Sequence, residues 1–212
     1  MKKRWIAFAA ALTLLLSACA ATAAPKTETT TVPETTAAVA AQTQPSAATP
    51  AETTAAAPKT DGLLSKFTAT DLDGNPIDQS VFAGHKVTML NIWATFCGPC
   101  LNEMPELGEL SAEYADKGVQ IIGLAEDTLT SKGEIDKDQV ELAKELVKST
   151  KANYLHILPS QDLTEKILFK VQAVPTTYFF DENGERIGEI MVGSKSKADW
   201  AAVLDGLLAK QG

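Results

Sequence analysis

Apolar and polar positions alternate in blocks along the second half of the chain. VTMLNIW, residues 87–93, is a continuous apolar run bounded by polar and turn residues, and its β-branched and aromatic members predict a buried central strand. Beyond it Leu101, Met104, Leu107, Leu110 and Tyr114 recur three or four apart until Gly118, the spacing of an amphipathic helix and its stop. Pro105 falls inside that pattern and is expected to kink it. VQIIGLA, residues 119–125, predicts a second buried strand. Val140, Leu142, Ala143, Leu146 and Val147 then mark a helix over about 138–149. A short strand around 154–158 and a helix over about 162–169 follow. TTYFFDENGERIGEIMV reads as a hairpin turning at Asn183-Gly184, a type I′ signal, and a last helix covers about 197–208. Upstream, FTATDLDGNPID holds two short runs around Asp73-Gly74, a further hairpin. Strands alternating with helices, closed by an antiparallel hairpin, predict an α/β architecture with a mixed central sheet flanked by helices.

The first sixty residues lack this pattern. Lys2, Lys3 and Arg4 precede an apolar run from Trp5 to Leu16, too short and too early for a spanning helix, and residues 1–18 read as an export signal. It ends in LSAC, residues 16–19, which resembles a bacterial lipobox. That resemblance implies cleavage before Cys19, a lipid on its thiol, and a place at the extracytoplasmic face of a cell membrane, in a periplasm or at the cell exterior; a plain secretory signal is the alternative. Residues 20–60 hold 14 Ala, 12 Thr and 5 Pro, with only Val32 and Val39 as large aliphatics. Such a stretch buries too little apolar surface to offset its ordering entropy, so residues 19–60 are expected to be a tether spanning roughly 35 Å. The globular domain is then 61–212.

Charge narrows the partners. The chain carries a net −8 over 212 residues, and loss of Lys2, Lys3 and Arg4 with the signal leaves −11. No basic cluster remains, so attraction to nucleic acid phosphates is not expected. The acidic segments DKDQ and EDTLTSKGEID read as solvated loops rather than calcium sites.

The chain has 3 cysteines. If Cys19 carries lipid, Cys97 and Cys100 are left as a pair. Structural zinc needs four ligands, and the 2 histidines, His85 and His156, lie far apart in sequence. Haem attachment needs a histidine after the second cysteine, where Leu101 stands. A static disulfide over so short a loop would constrain the unfolded chain weakly. A redox dithiol explains more. Cys97 falls at the end of a buried strand and the start of a helix, where free N–H groups and the helix dipole stabilise a thiolate. Pro99 suits the first helical turn, and Gly98 lets another backbone approach. Cys97 is therefore the expected exposed, attacking thiol and Cys100 the buried, resolving one.

WATFCGPC after LNI resembles the active-site segment of the thioredoxin superfamily. DLDGNPI, CGPCLNEMP and VPTTYFFDENG together resemble its TlpA/ResA-like branch of extracytoplasmic, membrane-tethered thiol–disulfide oxidoreductases, over nearly the whole domain. The resemblance implies a thioredoxin-like fold with an N-terminal β-hairpin extension. It implies that Pro175 is a cis-proline facing the cysteines and that Val174 offers backbone groups to an incoming peptide. It also implies that Trp93 and Phe96 lie beside the substrate and that Glu103 moves a proton for Cys100. A solvated helix glutamate, like Glu106 or Glu109, is the competing reading of Glu103. Phe96 stands where many relatives have Trp, and Asn91 where thioredoxins carry a buried Asp.

The implied activity is reduction of disulfides in exported proteins, cytochrome c maturation among the roles, with no cofactor or metal beyond the cysteine pair. A membrane electron donor of the CcdA/DsbD kind would recharge it. A peroxiredoxin-like thiol peroxidase is the runner-up. It lacks support at Ala94 and Leu90, where the peroxidatic pattern has Thr and Pro. A tethered module that binds clients without chemistry is the third reading.

Overall fold

The computed structural model describes residues 62–212; the expected export signal, Cys19 and the expected tether lie outside them. The central sheet has five strands: β3 (Val87–Trp93), β4 (Val119–Ala125), β5 (Leu155–Ile157), β6 (Thr176–Phe180) and β7 (Arg186–Val192). Their order is β5-β4-β3-β6-β7. β3 runs parallel to β4, and β4 to β5, while β6 pairs antiparallel with both β3 and β7. The sheet is mixed, as the alternation of elements predicts, and the architecture is thioredoxin-like.

All seven residues of β3 are buried because both faces of the sheet are covered. Side chains alternate across a strand, so Val87 and Met89 pack with Leu107, Leu110 and Tyr114 of helix α1 (Gly98–Tyr114) and with Trp200 and Leu204 of α4 (Lys197–Gln211). Leu90 and Ile92 point the other way, onto Phe67, Phe82 and Leu163 of the short helix α3 (Gln161–Lys166). Each such fully buried aliphatic contributes about 1.5–3 kcal/mol relative to exposure. A third cluster gathers Trp93, Cys97, Cys100 and Met104 with Ala143 of α2 (Lys137–Ser149), so α2 closes the sheet at the cysteine end.

The N-terminal hairpin joins β1 (Thr68–Thr70) to β2 (Pro76–Asp78). It docks on β5: Leu158 N–H donates to Thr70 O at 2.8 Å, and Leu72 N–H to His156 O at 3.2 Å. The hairpin thus covers an edge strand that would otherwise present unpaired backbone.

Three local expectations are refined. α1 runs unbroken through Pro105, which sits on its exposed side. The helix expected over 162–169 ends at Lys166 and tightens into a 3-10 turn at Leu168–Lys170, because Ile167 leaves helical geometry at φ −124°. The turn at Asn183-Gly184 is not type I′, since only Gly184 has a positive φ, at 71°. Asp181 instead accepts from the backbone N–H groups of Asn183 and Glu185 through Oδ1, an Asx turn closed by left-handed Gly184. Asp71 does the same for Asp73 and Asn75, with Gly74 at φ 85°. Both hairpins therefore use one Asp-x-x-Gly device.

Candidate active site

Cys97 and Cys100 form a disulfide at the N-terminus of α1. Cys97 is the N-cap, and Pro99 lies in the first turn, where a missing N–H costs nothing. Cys100 N–H donates to Cys97 Sγ at 3.2 Å. This donor and the helix dipole are in place to stabilise a Cys97 thiolate once the bond is reduced. Cys97 keeps 5 % of its surface exposed and Cys100 none. The expected order holds, but Cys97 is more covered than an exposed thiol, because its sulfur folds back over the helix end. Phe96, at 76 % exposed, stands out as the apolar wall before it.

The Val174–Pro175 peptide is cis. Val174 packs against the cluster that holds both cysteines. Pro175 O accepts from Gly193 N–H at 2.8 Å, whereas the backbone N–H and C=O of Val174 make no hydrogen bond among the described residues. An extended peptide could take up those two groups as an added strand does. Trp93 is fully buried and packs behind the disulfide with the same cluster, which leaves surface contact to Phe96 and Val174.

Glu103 differs from its helix neighbours. Glu109 is exposed and paired with Lys197 at 2.7 Å. Glu106 is half-buried and accepts from Lys197 N–H. Glu103 is 3 % exposed. Its Oε1 accepts from Asn91 Nδ2 at 3.0 Å, and its Oε2 from Lys195 N–H at 3.1 Å and Trp200 Nε1 at 3.2 Å. Burial pushes its carboxyl above the usual carboxylate range, against the lowering effect of those three donors and the Lys195 charge. A buried acid one helical turn beyond Cys100, with its affinity for a proton raised, suits proton exchange with a buried thiol. Asn91 is the hub: its Nδ2 also reaches Thr177 Oγ1 at 3.2 Å, while its Oδ1 is buried without a partner among the described residues.

Another group holds the loop that carries Phe96 and Cys97. Asp127 Oδ2 accepts from Thr95 N–H at 3.0 Å, Thr95 Oγ1 at 2.6 Å and Gln139 Nε2 at 2.9 Å. Cys97 N–H in turn donates to Ala94 O at 3.0 Å. The pKa of the neighbouring Glu126 carboxyl is raised, first by burial and then by the Asp127 charge. Asp127 lies in a segment that reads in sequence only as a solvated acidic loop. Trp200 and Lys195 are likewise invisible there, since their partner Glu103 stands more than ninety positions away. Among the described residues no group of three or more His, Cys, Asp or Glu side chains is placed to hold a metal.

The Redoxin family model matches residues 55–204. The chain is 34% identical over 147 residues to the thiol-disulfide oxidoreductase ResA of a Bacillus cereus strain, covering 68% of this chain and 73% of the relative. It is 32% identical over 148 residues to the thioredoxin-like protein YneN of Bacillus subtilis (strain 168), covering 66% and 75%. A thiol:disulfide interchange protein of the thioredoxin family from Chlorobium tepidum TLS superposes with a TM-score of 0.56 at 23% identity, over 68% of this chain and 93% of that one, a likeness of fold. With a disulfide-forming CxxC pair at the head of α1, this chain belongs to the redoxin family and is a thiol-disulfide oxidoreductase of the ResA type.

Proposed function

We propose that the chain is a membrane-tethered, extracytoplasmic reductase of disulfides in exported proteins. The Cys97 thiolate attacks a substrate disulfide and forms a mixed disulfide, and the outgoing substrate sulfur leaves as a thiolate. Cys100, deprotonated by Glu103, then attacks Cys97 Sγ. The Cys97–Cys100 bond forms, the second substrate thiol is released, and the pair is left oxidised. Val174 offers its free backbone groups to the substrate chain, and Phe96 supplies an apolar contact beside the reacting sulfurs. A membrane electron donor returns two electrons to Cys97–Cys100. Cytochrome c maturation is one role that fits such a reductase.

The observation that carries this reading is Glu103, a buried acid beside a buried second cysteine, opposite a loop with unpaired backbone at Val174. A peroxidase would need neither the open strand-like edge nor a resolving thiol in the next helical turn. The decisive assay is reduction of insulin disulfides with dithiol as electron source. Cys97→Ser is expected to abolish it, and persistence of turnover would overturn the mechanism. The tether is tested separately. Growth with a labelled fatty acid should label the protein and Cys19→Ser should abolish the label, and an unlabelled parent protein would remove the lipid from the account.

A further inference from the structure

The Ala94–Thr95 peptide links a carboxylate to the attacking cysteine. Its N–H, on Thr95, donates to Asp127 Oδ2 at 3.0 Å. Its carbonyl, Ala94 O, accepts from Cys97 N–H at 3.0 Å. A peptide unit is rigid and short, so Asp127 Oδ2 stands at most about 8 Å from Cys97 N. Donation from one end of the peptide polarises the other and tightens its hold on Cys97. Asp127 Oδ2 also accepts from Thr95 Oγ1 at 2.6 Å and from Gln139 Nε2 at 2.9 Å. The end of β4, the loop before Cys97 and the first turn of α2 therefore meet on one oxygen.

No cation opposes that carboxylate. Among the described residues neither Asp127 nor its neighbour Glu126 has an ion-pair partner. The Asp127 charge is felt nearby: after burial, it is what raises the Glu126 carboxyl. Cys97 itself packs among Trp93, Ala94, Cys100, Met104 and Ala143, apolar surroundings that weaken a charge little. The other ionisable groups on the elements packed there are Glu103 on α1 and Tyr154 ahead of β5, and the Lys195 charge acts on Glu103.

We propose that Asp127 is a positioning residue that sets the redox poise of the pair: it fixes Cys97 through the Ala94–Thr95 peptide, and its unopposed charge disfavours the Cys97 thiolate. Oxidation of the pair removes two electrons and two protons from its thiols and passes both to the substrate disulfide, which leaves as two thiols. The disulfide carries no charge, whereas the reduced pair carries one whenever Cys97 ionises. A negative charge beside Cys97 thus costs the reduced form alone and drives the pair toward the disulfide, with the substrate reduced. A strong oxidant such as DsbA is the opposite case, its reduced form being stabilised. The inference rests on the reading of Cys97 as the attacking thiol of a reductase.

The test uses the full chain with Cys19→Ser, so that only the active pair reacts. Asp127→Asn removes the charge and keeps the contacts. Its amide oxygen, in the place of Oδ2, accepts from the same three donors, and its NH2 takes the place of Oδ1, which is buried without a partner among the described residues. Ultraviolet absorbance of the thiolate across a pH series should show the Cys97 midpoint at lower pH. Below the midpoint the thiolate fraction should rise by roughly three- to tenfold, the effect of one charge about 10 Å away at a partly solvated site. Above the midpoint, equilibration with glutathione should shift toward the reduced pair by the same factor, about 14–30 mV. Thr95→Val loosens the same contacts and leaves the charge, so its midpoint should not fall. An unchanged midpoint or an unchanged equilibrium in Asp127→Asn would overturn the proposal, as would an equal fall in Thr95→Val. A parent potential near that of DsbA is a different failure: it would sink the reductase reading, and the role of Asp127 with it.

Discussion

Glu103→Gln separates stability from chemistry more sharply than any other change. In the folded chain the carboxyl is buried and its pKa raised, with desolvation the leading cause. The sign follows from proton counting. Between the unfolded and the raised folded pKa, the native state holds a proton that the unfolded state has lost. Stability therefore falls as pH rises through that window, by about 1.4 kcal/mol per pH unit for one proton. Glutamine does not titrate, so the variant escapes that loss. Its geometry is also accommodated: Oε1 can accept from Lys195 N–H and Trp200 Nε1, and the new amide can donate to Asn91 Oδ1, which lacks a partner, once the Asn91 amide turns over. The expected outcome is a protein more stable than the parent above the window and equal to it below, measured by urea unfolding across a pH series. Over the same range, the Cys100 step in stopped-flow should slow by about 10²–10⁴. A variant less stable than the parent at every pH, with an unchanged Cys100 step, would refute both halves of the reasoning.

Further outcomes follow from the loop before Cys97 and its supports. Phe96→Ala should leave the unfolding free energy within about 0.5 kcal/mol of the parent's, because the ring is exposed. It should raise KM for a protein disulfide more than for a small one, and equal effects on both would remove Phe96 from substrate contact. Asp127→Ala takes the shared acceptor from Thr95 and Gln139, and should cost about 1–3 kcal/mol in urea unfolding. Trp200→Phe keeps the ring packing and removes the Nε1 donor to Glu103. The Glu103 carboxyl should then rise further, moving the pH profile of the Cys100 step to higher pH.

Much of the sheet is written in the sequence because its strands are buried on both faces. VTMLNIW and VQIIGLA leave no polar face to confuse with a helix, and both form strands over the expected residues. Local chemistry is legible too, since Cys97, Gly98, Pro99 and Cys100 carry their own helix start. The turn at Asn183-Gly184 departs from type I′ because Asn-Gly is shared by two turn families, and only the Asp181 side chain, two positions upstream, selects the other. Helical spacing does not tell Glu103 from Glu106 or Glu109. What buries it are Asn91, Lys195 and Trp200, contributed by a strand and a segment distant in the chain. Asp127 reads as solvated for the same reason, its partners Thr95 and Gln139 coming from other elements. Long-range partners of this kind leave no periodic trace.

The direction of electron flow is the central claim, and the reduction potential of the Cys97–Cys100 pair tests it most directly. Equilibration of the full chain against glutathione or dithiothreitol redox buffers, read by alkylation of the free pair, gives the value. A reductase predicts a potential near the about −270 mV of thioredoxin, and a value near the about −120 mV of DsbA would make the protein an oxidant and contradict the account.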